Sequence, residues 1–272
     1  MSLNLAPHQR RMLEEILRAP LWLPPDVQEA TQAAPAPVAA AEAAAPASRA
    51  PTTAPAAAPT APRAAPATPV TLQPRPSGIE HMDWPELQAA VASCQACGLC
   101  AGRTQTVFGV GDMQAQWLVV GEAPGETEDR QGEPFVGPAG QLLDNMLRAM
   151  NVNGKSLARG SNVYIANVLK CRPPHNRNPE PAEVAQCEPY LKRQVELLRP
   201  QIILAMGRFA VQSLLQTNEP IGKLRGRVHH YQGVPVIVTY HPAYLLRNLP
   251  DKAKAWADLC LAMQTAKELA PQ

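Results

Sequence analysis

Trp117-Leu118-Val119-Val120-Gly121-Glu122-Ala123-Pro124-Gly125 is a short apolar run that stops at a glycine and passes into a turn carrying a carboxylate. Strands of an open sheet end in this way, and three further apolar runs read alike: Val163–Asn167, Ile202–Met206 and Val234–Thr239. Helical patterns separate them. Gly140–Met150 places Leu142, Leu143, Met146, Leu147 and Met150 on one face, and Val184–Leu198, Phe209–Leu215 and Lys252–Leu269 supply three more helices. Helices between strands imply crossovers, so the expected fold is α/β: three α/β/α layers around a central, mostly parallel four-stranded sheet. Ligands of such sheets bind outside the carboxyl ends of the strands. The Glu122 turn, the Asn167–Cys171 segment, Gly207 and His241 all fall at those ends and predict one shared crevice.

Composition divides the chain of 272 residues. From Thr31 to about Pro76 it is nearly all Ala, Pro, Thr and Val without an aromatic side chain, which cannot bury enough apolar surface to offset the entropy of ordering. Residues 31–79 therefore read as a disordered linker, and residues 80–272 as one packed domain. Ahead of the linker, Met12, Leu13, Ile16 and Leu17 recur at helical spacing within residues 8–23. This short amphipathic segment, part of residues 1–30, suits either packing on the domain or docking to a repair or replication protein at the end of a tether. Net charge is +2 overall, and residues 80–272 hold 19 Lys and Arg against 18 Asp and Glu. A role on nucleic acid thus requires a local basic face. No apolar run is long enough to span a bilayer, and six cysteines without a secretory signal point to the cytoplasm and to metal rather than disulfides.

Two cysteine pairs stand out, Cys94-x2-Cys97 and Cys171-x15-Cys187. Four thiolates given as two separated pairs can build a tetrahedral cage for zinc or for an iron–sulfur cluster. The wide second spacing disfavours zinc. Cys100 continues the first pair in a ferredoxin-like run, while Cys260, inside an apolar helix, reads as a small hydrophobe.

Four motifs in order now carry a resemblance: Gly121-Glu122-Ala123-Pro124-Gly125-x2-Glu128-Asp129, Pro134-Phe135-Val136-Gly137-x-Ala139-Gly140, Asn167-Val168-x-Lys170-Cys171-Arg172-Pro173-Pro174 and His241-Pro242-Ala243-Tyr244-Leu245-Leu246-Arg247. Over about residues 90–268 the chain resembles the family 4 uracil-DNA glycosylases, repair enzymes with a 4Fe–4S cluster. The resemblance implies one such cluster on Cys94, Cys97, Cys171 and Cys187, no zinc, no ligand at Cys100, and a cytoplasmic, nucleoid-associated monomer acting on uracil-containing DNA. It also implies a base pocket of Gly121, Glu122, Ala123, Phe135, Asn167 and His241.

The chemistry of these residues agrees with that role. An enzyme that works on a base must extrude it and read its Watson–Crick edge. The Asn167 amide can accept from uracil N3–H and donate to O4, an arrangement that the amino group of cytosine would frustrate. Phe135, in a Pro/Gly loop, would stack on the ring. His241 would stabilise charge on the departing base at O2. Glu122 would place water and favour the cationic sugar, with Glu128 as a second catalytic carboxylate and Asp129 as a helix N-terminal acid. Lys170, next to Cys171, would turn toward the cluster loop or phosphate, so no Schiff-base step is expected. For contact with DNA the candidates are Arg208 at a helix start, Lys223, Arg225 and Arg227 in a hairpin-like stretch, and Leu245, Leu246 and Arg247 as a wedge. The alternative is a uracil-DNA-binding or polymerase-associated, metal-stabilised module without turnover.

Overall fold

The computed structural model describes residues 72–152 and 154–269. The expectations for residues 8–23 and for most of the 31–79 linker lie outside the described residues.

After a short 3-10 turn at Ile79–His81 comes the first α-helix, α1 (Trp84–Ala92). Asp83 caps it by accepting from the Glu86 N–H at 2.9 Å, while the Glu86 carboxylate takes the Asp83 N–H at 3.0 Å, a reciprocal capping box. There follow β1 (Val110–Gly111), β2 (Trp117–Gly121), α2 (Glu126–Gln131), α3 (Pro138–Ala149) and the small hairpin β3 (Asn151–Val152) with β4 (Lys155–Ser156). Next come β5 (Val163–Asn167), α4 (Pro181–Leu198), β6 (Ile202–Met206), α5 (Arg208–Leu215) and α6 (Ile221–Leu224). The chain finishes with β7 (Val228–Tyr231), β8 (Val234–Thr239), α7 (Pro242–Leu245) and α8 (Asp251–Leu269).

The sheet has six strands in the order β1-β5-β2-β6-β8-β7. Its four central strands are the four read from sequence, and all are parallel. The two edge strands are antiparallel additions. Neither announces itself: β1 is two residues long, and the Val-His-His-Tyr of β7 alternates between exposed and half-buried.

Residues of β2, β5 and β6 are buried along their whole length, because helices cover both faces of a parallel sheet. The two-residue period sends Trp117, Val119, Ile165 and Leu204 against α3 and α8. Leu118, Val120, Ala166 and Ile203 pack instead against α4 and α5. The chain leaves β2 to build β5 on one side, then crosses back to build β6 on the other. That reversal puts a crevice at the carboxyl end of β2. Among the described residues no helix is long and apolar enough to cross a membrane.

Two residues expected at the DNA surface belong to the fold instead. Leu245 is 1 % exposed and packs in the core beneath α8, so it cannot wedge into a duplex. The Arg225 guanidinium bonds Asp258 of α8 at 3.0 Å, also bonds the Lys254 carbonyl, and sits 5.3 Å from the Tyr240 ring. With Asp258 buried, this pair ties the α6–β7 turn to the last helix and is not free to meet phosphate.

Removing one partner of that pair strands the other's charge. Asp258→Ala should therefore lower stability by about 3 kcal/mol, read from the urea midpoint at unchanged slope. Arg227→Ala, whose exposed side chain meets Glu219 only at 3.8 Å, should shift it by less than about 0.5 kcal/mol.

Candidate active site

A cleft of about 740 Å³ opens at the carboxyl ends of the parallel strands, and Glu122, Phe135, Asn167 and His241 all line it. Register explains the meeting. In the β2–β5 ladder Gly121 lies opposite Asn167, so the two strands end level. The pairing continues past them, with Val168 N–H donating to Gly121 O and Leu169 N–H to Glu122 O, each at 3.0 Å. The turn bearing Glu122 is thereby joined by backbone bonds to the segment that leads to Cys171.

Asn167 is 2 % exposed, and its Oδ1 has no hydrogen-bond partner. A buried acceptor left bare costs about 1–3 kcal/mol, so this oxygen is prepared for a donor that the free protein does not supply. Gly121 makes room for it. A Cβ there would come within 2.4 Å of Asn167 Oδ1 and 2.6 Å of the Phe135 ring. Phe135 lies in a loop with φ 56°, left-handed and unfavourable for an aromatic residue. Its ring stacks on that of His241 with centroids 5.3 Å apart and planes 24° from parallel.

His241 caps the start of α7, and its Nδ1 accepts the Ala243 N–H at 3.1 Å. The neutral ring therefore carries its proton on Nε2. Burial pushes the imidazole down to about 4, with the Arg247 cation acting in the same direction and Glu128 opposing. Burial likewise pushes the Glu122 carboxyl up to about 7 against the pull of Arg208. An imidazole held neutral thus shares the cleft with a carboxyl that ionises near neutrality.

Glu128 does not act as a second free carboxylate. Its Oε2 accepts the Gly125 N–H at 3.1 Å, and its Oε1 accepts those of Val136 and Gly137 at 3.1 and 3.3 Å. It binds the α2 turn to the Phe135 loop. Asp129, in the first turn of α2 as expected, is buried and takes the Thr104 N–H on both oxygens at 3.0 and 2.9 Å. Lys170 turns inward, away from any phosphate, and its Nζ bonds Asn167 O at 2.8 Å and Gln194 Oε1 at 2.7 Å.

Cys171 and Cys187 are buried beside Leu99 and Leu169, with Cys97 packed against them. None of these thiols forms a disulfide. Burial pushes Cys171 up to about 11 and Cys187 up to about 12; charge on Cys94 and Cys97 adds to the rise at Cys171, and charge on Cys171 and Cys97 to that at Cys187. Arg103 Nη1 lies 3.1 Å from Cys171 Sγ. Among the described residues no group of three or more His, Cys, Asp or Glu side chains is drawn together tightly enough for a single metal ion. Cys260 is partly buried against the core.

Of the basic candidates, exposed Arg208 and Arg247 line the cleft, while Lys223 and Arg227 are exposed outside its wall. Leu246, just after α7, is exposed. Sequence reasoning missed Arg103 and Arg159, the latter bonding the carbonyls of Pro134 and Phe135. Both reach across long stretches of chain and belong to no motif, so no local pattern could have marked them.

A family model described as the Uracil DNA glycosylase superfamily matches residues 108–260. A type-4 uracil-DNA glycosylase of Archaeoglobus fulgidus is 44% identical over 164 residues, covering 57% of this chain and 79% of that protein. One from Thermotoga maritima is 44% identical over 166 residues, 60% of this chain and 83% of its own. A third, from Saccharolobus solfataricus, is 43% identical over 168 residues, 59% of this chain and 76% of its own.

The opposed shifts in the cleft can be measured directly. By NMR, the Glu122 carboxyl should titrate near 7 and the His241 ring should keep the Nε2–H tautomer down to about pH 5. In Glu122→Gln the signal titrating near 7 should vanish, and a His241 ring that charges near 6.5 would contradict this electrostatic account.

Proposed function

The chain belongs to the uracil DNA glycosylase superfamily and to its type-4 group, and from that premise we propose that it hydrolyses the N-glycosidic bond of deoxyuridine in DNA. Uracil leaves and an abasic site remains, the first step of base excision repair. The observation that carries this reading is the bare, buried Oδ1 of Asn167 in the cleft that Phe135 and a neutral His241 also line.

An extruded uracil would place N3–H on Asn167 Oδ1 and receive the amide N–H at O4. Cytosine offers an acceptor and a donor in the opposite order, so it would leave buried polar groups unpaired, a strong basis for rejection. Phe135 provides the stacking surface. His241 donates Nε2–H toward O2 as the C1′–N1 bond breaks and its electron pair passes to the base. The neutral ring can do this, because the Ala243 bond on Nδ1 keeps the proton on Nε2, where it stabilises the developing anion without being transferred. Glu122, when ionised, holds the water whose oxygen bonds to C1′ and takes up the proton that water releases, while its charge favours the cationic sugar. The amine of Lys170 is engaged inside the protein, which supports hydrolysis without a lyase step.

Exposed Arg208 and Arg247 would meet phosphates flanking the extruded nucleotide, with Lys223 and Arg227 further along the strand. Leu246 would fill the gap in the stack. The activity is assigned to a domain of residues 80–272.

Cys94, Cys97, Cys171 and Cys187 would hold a 4Fe–4S cluster. What supports this is donor chemistry, not a preformed coordination geometry: soft thiol ligands, two of them buried, and an Arg103 N–H directed at a cysteine sulfur, as cluster sites use. When bound, the cluster would join the segment before β1 to the loop after β5. That loop is already bonded to the Glu122 turn.

Incubation with a single-uracil oligonucleotide, then alkali, should yield strand scission. His241→Ala and Asn167→Ala should each lower the excision rate by about 10²–10³-fold. Excision by the native protein should rise with pH through about 7, since Glu122 must be ionised, and Glu122→Gln should flatten that rise. Binding of uracil-DNA without scission would favour the module that lacks turnover. The purified protein should be brown and contain iron, and Cys187→Ser should be pale and iron-poor. A colourless, iron-free native protein prepared without oxygen would contradict the cluster.

A further inference from the structure

Phe135 is held in an unfavourable conformation by contacts that none of its neighbours in sequence explains. Its φ is 56°, yet it is only 6 % exposed and lies against the core. Left-handed backbone at a non-glycine residue persists where surrounding contacts over-determine it. Three are present. Glu128 ties down the Val136 and Gly137 N–H groups that follow. Gly140 lets the Phe135 carbonyl pass, since a Cβ there would stand 1.6 Å from the oxygen. The third is Arg159. Its Nη1 donates to Pro134 O at 2.7 Å and its Nη2 to Phe135 O at 2.8 Å.

Arg159 is itself aimed. Its Nε and Nη2 both meet Oδ1 of Asp144, on α3, at 3.2 and 3.1 Å. One planar guanidinium thus joins two successive carbonyls of the Phe135 loop to a carboxylate on the helix that starts three residues later. Only arginine carries donors in a fixed fork that can serve three acceptors in one plane. Neither Arg159 nor Asp144 lines the cleft.

We infer that Arg159, oriented by Asp144, is a positioning residue for uracil excision: it locks the carbonyls of Pro134 and Phe135 so that the stacking ring is set before the base arrives. The inference rests on the function proposed above and adds a determinant remote from the substrate. Free, the loop would relax Phe135 toward an ordinary backbone angle and swing its ring off Gly121. The extruded base would then have to order the loop itself, and that entropic cost falls on capture.

A double-mutant cycle tests this. Arg159→Lys keeps the charge but cannot serve all three acceptors. It should lower kcat/KM on a uracil oligonucleotide by about 10–100-fold, mostly through KM, and leave the pH inflection in place. In a Phe135→Leu background the same change should cost less than about 3-fold, because the ring it serves is gone. Asp144→Asn should give a smaller loss in the same direction, equally absent beside Phe135→Leu, and serves if Arg159→Lys does not fold. Amide exchange at Val136 and Gly137 should quicken in Arg159→Lys. Equal losses with and without Phe135, or no loss at all, would overturn the inference. Should the native protein excise no uracil, the function falls while amide exchange still decides the clamp: unchanged rates at Val136 and Gly137 overturn it.

Discussion

Gly121 faces Asn167 at the last pair of the β2–β5 ladder, and the whole cleft depends on that pairing. Side chains of a strand alternate between faces, so a slip of one residue would turn Asn167 to the opposite layer. Fitted packing in both layers opposes the slip, because Trp117, Val119 and their neighbours would trade places with side chains shaped for the opposite layer. The absence of a side chain at Gly121 completes the constraint, since both the amide of Asn167 and the ring of Phe135 occupy the space a Cβ would take. Core packing thus sets the placement of the residue that would read the base.

The electrostatics follow from the same burial. In water a glutamic acid is a stronger acid than an imidazolium. In this cleft the order is reversed, with Glu122 near 7 and His241 near 4. A proton entering the site therefore settles on the carboxyl before the ring. Two groups driven past one another by their surroundings mark an acid–base site, and here the consequence is a histidine that donates a hydrogen bond while remaining uncharged. The Ala243 N–H on Nδ1 fixes which nitrogen does so.

The parallel strands were legible to the residue because burial on both faces leaves an unbroken apolar run, the strongest local signal a strand can give. Edge strands β1 and β7 lack that signal, one being too short and the other half polar. Side-chain destinations were harder to read. Leu245 and Leu246 are neighbours of one type, yet one is core and the other exposed, a difference set by the face with which α7 packs on α3. Arg225 and Arg227 divide in the same way, since the partner of Arg225 lies 33 residues away on α8. The acidic turn looked like two catalytic carboxylates, and only the Phe135 loop folding back onto Glu128 reveals which of them is engaged. Local pattern thus marked the elements and the turn chemistry, whereas the supporting contacts depend on tertiary distance.

A crystal structure of the protein soaked with free uracil tests the central claim most directly, because it needs neither DNA nor turnover. The account predicts the ring stacked on Phe135, N3–H on Oδ1 of Asn167 and O2 at Nε2 of His241, with that density lost in Asn167→Ala. Uracil bound elsewhere in the cleft, or bound unchanged once the Asn167 amide is removed, would contradict it.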